Sequence, residues 1–159
     1  MGKLLSYPQQ QQQQQPFVAA ADGEPPLWAP YYGAPFAVAV KRFFKKYATF
    51  SGRASRSEYW WWALVNGVVT LVLTGGTLLS EGGSQSVVGM LVSPVLILWA
   101  LATIVPSLAL TVRRLHDSNK SGWMYLLGLI PIVGGIIVLV FVILPAEPAG
   151  QQYDRPAGY

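Results

Sequence analysis

The side chains able to do chemistry gather in two short stretches, Arg53-Ala54-Ser55-Arg56-Ser57-Glu58 and Arg113-Arg114-Leu115-His116-Asp117-Ser118. His116, Asp117 and Glu58 together would supply the acid and base groups of an enzyme acting on lipid phosphates. Adjacency along the chain does not make a catalytic triad, however, because its members must converge in space in fixed roles. One histidine and no cysteine argue against a zinc site and leave no disulfide framework. The expectation is a non-enzymatic protein with no cofactor and no metal. The four arginines, Arg53, Arg56, Arg113 and Arg114, suit another task, since a planar guanidinium matches the geometry of phosphate oxygens. They are candidates for holding anionic lipid headgroups or a membrane-protein partner. The competing reading is that they set topology and pair with Glu58 and Asp117.

The elements that must position these groups are apolar. The chain has 159 residues, of which 52% are hydrophobic and only 11% charged, with a net charge of +4. A soluble domain carries about 25% charged residues. Stretches 59–80, 82–112 and 121–146 contain no Asp, Glu, Lys or Arg. About 20 apolar residues in a helix cross the roughly 30 Å of bilayer hydrocarbon. The fold class expected is an all-α membrane protein with three transmembrane helices, at 59–79, 87–112 and 123–144. Pro94 and Pro106 should bend the second, and Pro131 with Gly134 and Gly135 should loosen the third.

Three crossings put alternate loops on opposite sides. Lys3, Lys41, Arg42, Lys45, Lys46, Arg53 and Arg56 precede the first helix, and Arg113, Arg114 and Lys120 lie in the second loop. The first loop has no cation, and the tail has only Arg155. Ten cations against one put the N-terminus in the cytoplasm and the C-terminal tail, 145–159, outside. Tyr59, Trp60, Trp61, Trp62, Trp123 and Tyr125 fall at the same interface, where amphipathic rings collect.

Residues 1–35 include seven consecutive glutamines at 9–15 and then Pro25, Pro26, Pro30 and Pro35, a composition expected to be a disordered arm. From 36 to 50 the pattern becomes helical. Phe36, Val40, Phe43, Phe44, Tyr47 and Phe50 share one arc, and Lys41, Arg42, Lys45 and Lys46 share the other. That reads as an interfacial helix with its basic face toward anionic headgroups, at about 1 kcal/mol per cation. With a membrane span adjoining it, lipid rather than nucleic acid is the expected polyanion.

Local detail supports the helix boundaries. Ser55 and Glu58 have the spacing of a capping box, and Gly52 just before them can take an unusual backbone angle. Asn66, Thr70 and Thr74 line one stripe of the first helix, and Thr103, Ser107 and Thr111 line one on the second. At matching depth, Asn66 is expected to hydrogen-bond Ser107 or Thr103, orienting the helices more than holding them. Asp117 is expected to pair with Arg113 and Arg114 or, across the interface, with Arg53 and Arg56.

Two motifs together are distinctive. Phe50-Ser51-Gly52-Arg53-Ala54-Ser55-Arg56-Ser57-Glu58-Tyr59-Trp60, and then Arg113-Arg114-Leu115-His116-Asp117 with Ser121-Gly122-Trp123, resemble the YhaH-like family of small bacterial inner-membrane proteins, a domain of unknown function. The resemblance covers roughly residues 36–156, taken as the membrane domain; where it ends, Gln151-Gln152-Tyr153 stands in place of an expected Asn-Arg-aromatic run. It implies a bacterial inner membrane and supplies no catalytic residue. Two functional readings follow. One is a lipid-headgroup or protein-interaction module with a cytoplasmic basic collar; the other is a small homo-oligomeric transporter or channel, since three helices alone are too few for a pore.

Overall fold

The computed structural model describes residues 23–80 and 82–154. It is all-helical, with no strand among the described residues. The order is α1 (Phe36–Lys45), α2 (Arg56–Leu78), a 3-10 turn (Gly83–Gln85), α3 (Val87–Asp117), a 3-10 helix (Gly122–Leu129), α4 (Val133–Ile143) and a last 3-10 turn (Pro148–Tyr153).

The two long helices, α2 and α3, pack as an antiparallel pair and are both long and apolar enough to cross a membrane. Their 23 and 31 residues correspond to about 35 and 46 Å. Leu71, Val72, Leu91, Leu98 and Leu101 stand exposed on their outer faces, an apolar surface suited to lipid. The capping box forms as expected. The Ser55 hydroxyl accepts from the Glu58 amide at 3.2 Å, and Glu58 Oε2 accepts from the Ser55 amide at 3.0 Å. At the other end, Ser86 caps α3 by accepting from the Gly89 amide at 3.0 Å.

Aromatic rings fill the seam between α1, α2 and α3. Phe43 stacks on Trp62 with centroids 3.4 Å apart, and Trp99 lies beyond Trp62 at 6.0 Å. Pro106 has no N–H for the Ala102 carbonyl one turn earlier, a group that must be satisfied in lipid. The Tyr47 hydroxyl donates to that carbonyl at 2.8 Å. The polar stripes meet differently from expectation. Asn66 Oδ1 accepts from Trp99 Nε1 at 3.0 Å, and Ser107 accepts from Trp62 Nε1 at 3.2 Å. Thr103 and Thr111 give their hydroxyl protons to Trp99 and Ser107 carbonyls of their own helix, and the indoles supply these interhelical hydrogen bonds. Thr70 is exposed, and the Thr74 carbonyl accepts from Thr77.

The third apolar run does not form one helix over 123–144. The 3-10 helix descends, the chain reverses at Pro131-Ile132, and α4 returns packed against it. Ile132 is the reversal point, with φ 69° and ψ −56°, and the Val133 amide donates to the Pro131 carbonyl at 2.7 Å. This is a γ-turn, strained for a β-branched residue. Gly134 permits the close approach of the two arms, because a Cβ there would lie 2.1 Å from the Leu127 carbonyl oxygen. Eight 3-10 residues and eleven α-helical residues each rise about 16 Å, roughly half the hydrocarbon thickness. The uncharged run of 26 residues is divided at Pro131 and Gly134 into two packed arms rather than one helix. The described tail therefore returns to the end of the helix pair where the chain enters α2, not to the opposite end that three successive crossings would give.

Two further expectations are corrected. Residues 1–22 of the glutamine–proline arm lie outside the described residues, but 23–35 follow a defined path across the end of the bundle, fastened by buried polar groups. The basic face of α1 is split. Lys41 and Lys45 are exposed, whereas Arg42 and Lys46 point inward beside Glu58. A helical wheel assigns every charge outward and has no knowledge of a buried carboxylate on the next helix.

Candidate functional site

The polar groups at the helix-entry end assemble around two carboxylates. Glu58, fixed by its capping role, is nearly fully buried. Its Oε1 accepts from Arg42 Nε at 2.7 Å, and its Oε2 accepts from the Tyr31 and Ser55 amides. Arg42 uses its remaining donors on arm carbonyls: Nη1 to Pro25 at 2.8 Å, and Nη2 to Pro26 and Ala29. One guanidinium thus ties the arm to α1 and α2. The Lys46 ammonium sits 3.6 Å from the same carboxylate, just too far for a hydrogen bond. Burial is the largest influence on it and outweighs the attraction of Glu58, so its pKa falls from the usual lysine value to about 7.

Asp117 is the second centre and is fully buried. Its Oδ1 accepts from the Tyr32 hydroxyl at 2.6 Å and lies 3.5 Å from Arg53 Nη1, while its Oδ2 accepts from Arg114 Nη1 at 2.5 Å. Burial first, and then the bond to Asp117, push the Tyr32 hydroxyl's pKa well above its ordinary value. Arg53 also grips Asp154 with two nitrogens at 2.9 and 2.7 Å. Burial opposes that charge, but the Asp154 pairing prevails and holds the guanidinium's pKa above normal.

The hairpin is locked into the same assembly. Arg114 Nε donates to the Val142 carbonyl at 3.0 Å and Nη2 to that of Leu144, while Arg56 donates to the Ile143 and Leu144 carbonyls. These are the unpaired acceptors at the negative end of α4, where cations are favoured. The tail is held by main-chain bonds, from the Glu147 amide to the Asp117 carbonyl and from the Gly52 amide to the Tyr153 carbonyl. His116 donates from Nδ1 to the Gly52 carbonyl oxygen at 3.1 Å, and its ring stacks on Tyr153 at 4.0 Å. Gly52 has φ 80°, and a Cβ there would lie 2.6 Å from the Trp28 carbonyl oxygen.

The sequence-derived candidates divide accordingly. Arg42, Lys46, Arg53, Arg113 and Arg114 are buried and turned inward, so they are not a headgroup-facing collar. Arg113 gives Nε to its own helix at Ala109, and its Nη2 has no hydrogen-bond partner. Lys41, Lys45 and Arg56 remain exposed. Leu115 is core, Ser121 accepts from the Trp123 amide, and Trp123 itself is exposed. Tyr59 packs against the core cluster, and Trp60 stands outward beside it. His116, Asp117 and Glu58 each hold other partners and do not hydrogen-bond one another. Among the described residues, no group of three or more His, Asp or Glu is placed to hold a metal.

Arg56 also edges an outward groove of about 430 Å3, with Ser57 beside it and Trp60, Trp61 and Leu64 continuing along α2. The residues that sequence reasoning missed are Tyr31, Tyr32, Trp99 and Asp154, together with the hydrogen-bonding role of Tyr47, which it placed only on an apolar arc. All act across long sequence separations, and the aromatic residues interleaved with the arm's prolines were the one visible signal.

The profile of a family described as a protein of unknown function, DUF805, matches residues 47–155. The stretches 50–60 and 113–123 both lie inside it, and Arg42 and Lys46 precede it. Inner membrane protein YhaI of Escherichia coli (strain K12) is 36% identical over 111 residues, covering 70% of this chain and 87% of YhaI. Inner membrane protein YhaH of the same strain is 36% identical over 112 residues, covering 70% of this chain and 89% of YhaH. No solved structure matches.

Proposed function

We propose, from the premise that this chain belongs to the DUF805 family of proteins of unknown function, that it is a bacterial inner-membrane protein that binds an anionic phospholipid at its cytoplasmic face. It is read as non-enzymatic, crossing twice through α2 and α3 with the 123–144 segment re-entrant. All nine described lysines and arginines belong to segments at one end of the helix pair, and the loop at the other end has none. The positive-inside rule then puts that end, arm and tail together, in the cytoplasm.

The observation that carries the lipid reading is the Arg56 groove. A cation and a hydroxyl lie at the helix start, where headgroups would lie. Two indoles and a leucine continue from there toward the hydrocarbon, as a phosphate above an acyl chain requires. Arg56 spends Nε and Nη2 on α4 carbonyls, and Nη1 is left for a phosphate oxygen. Exposed Lys41 and Lys45 add to the attraction for anionic lipid. The test is native mass spectrometry of protein extracted with phosphatidylglycerol. Retention should fall about tenfold in Arg56→Gln and in Leu64→Trp, which fills the groove. Unchanged retention in Leu64→Trp would remove this site.

A further inference from the structure

We propose that a second cavity, between the end of α3, the 3-10 helix Gly122–Leu129 and the tail, binds an uncharged phenolic headgroup on an apolar tail, a quinol-type lipid. This goes beyond the phospholipid reading and uses none of its residues. The cavity has a volume of about 630 Å3, within the range of small-molecule sites. Its walls are the rings of Phe50, Trp123, Tyr125 and Tyr153 with the aliphatic Leu108 and Val112. No Lys, Arg, Asp or Glu lines it, so a phosphate or ammonium would enter without a counter-charge.

One end is polar in a defined sense. His116 Nδ1 lies 3.1 Å from the Gly52 carbonyl oxygen, which can only accept, so the neutral ring carries its proton on Nδ1. Nε2 is therefore an acceptor. It makes no hydrogen bond to the protein among the described residues; His116 and Gly122 both line the cavity, and a Cβ at Gly122 would come within 3.3 Å of Nε2. The parallel Tyr153 ring, 4° from coplanar, fixes the imidazole plane. A fixed acceptor at the head of an aromatic-walled pocket is complementary to a hydroxyl donor on a flat ring, with the ring stacked or edge-on to the walls. An aliphatic alcohol such as a diacylglycerol would satisfy Nε2 but leave the ring contacts unused. The pocket lies beside the hairpin at the end of α3, from which an apolar tail passes into the bilayer.

The experiment titrates the full-length protein in nanodiscs with decylhydroquinone under reducing conditions, following tryptophan fluorescence, with 1,2-dioctanoylglycerol as comparison. Saturable binding is expected, weakened about tenfold or more in His116→Phe and abolished in Leu108→Trp, which occupies the cavity. Non-saturable partitioning, equal affinity in wild type and Leu108→Trp, or dioctanoylglycerol binding as tightly as the hydroquinone would each overturn the proposal. Leu108→Trp keeps the test decisive if His116→Phe fails to fold.

Discussion

Arg42 Nε donates to Glu58 Oε1 at 2.7 Å between two side chains that are nearly completely buried, and the same guanidinium holds three carbonyls of the arm. This one residue closes residues 23–35 over the entry to α2. Removing one partner of a buried pair leaves the other uncompensated, at about 3–5 kcal/mol. Arg42→Met should therefore lower the unfolding temperature in detergent and open the arm to limited proteolysis between Gly23 and Pro35. An unaltered cleavage pattern would mean that the arm is held by something else.

Lys46 should behave differently. Glu58 keeps Arg42 and two amides as donors when Lys46 is gone. The pKa of Lys46 is lowered to about 7 from 10.5, so between those values the unfolded chain binds the proton and the folded one does not. Stability therefore rises with pH across that window through this group, and the cost of the buried charge is constant below it. Lys46→Met should remove this slope and be at least as stable as wild type at pH 6. Parallel pH profiles for the two proteins would contradict it.

Gly134 and Gly135 offer a paired test of the hairpin. A Cβ at Gly134 would meet the Leu127 carbonyl oxygen at 2.1 Å and Gly128 backbone near 3 Å, whereas nothing lies within 4 Å of one at Gly135. Backbone cannot swing aside as a side chain does. Gly134→Ala should cost about 1–3 kcal/mol or more, and Gly135→Ala should be tolerated, both read by thermal unfolding. Equal effects would argue for a continuous helix.

Tyr47 and Pro106 are coupled through the Ala102 carbonyl. Tyr47→Phe strands that acceptor, at about 1–3 kcal/mol. In a Pro106→Ala background the restored amide supplies a donor, and the loss should shrink. A double-mutant cycle in unfolding free energy measures the coupling, and strict additivity would deny it.

What was legible in the sequence was local or compositional. The capping box at Ser55 and Glu58 needs only three residues of spacing, and the apolar runs follow from counting uncharged residues. Asp117 pairing with Arg53 and Arg114 was within the expected choices, because few acids were available to so many cations. The direction of the third run was not legible, since hydropathy measures length and not heading. Nor were the inward turn of Arg42 and Lys46 or the roles of Tyr32 and Asp154. Tyr32 lies 85 residues from Asp117, and Asp154 lies 101 from Arg53. Such partners become visible only once the hairpin brings the tail back beside the arm.

That return is the central claim, and the chain's lack of cysteine makes it directly measurable. Single cysteines at Lys41, Gln85 and Gln151 are labelled in intact cells and in inverted vesicles with a membrane-impermeant maleimide. The expected result is that Lys41→Cys and Gln151→Cys react only in inverted vesicles and Gln85→Cys only in intact cells. Reaction of Gln151→Cys in intact cells would place the tail across the membrane from the arm and contradict the re-entrant fold.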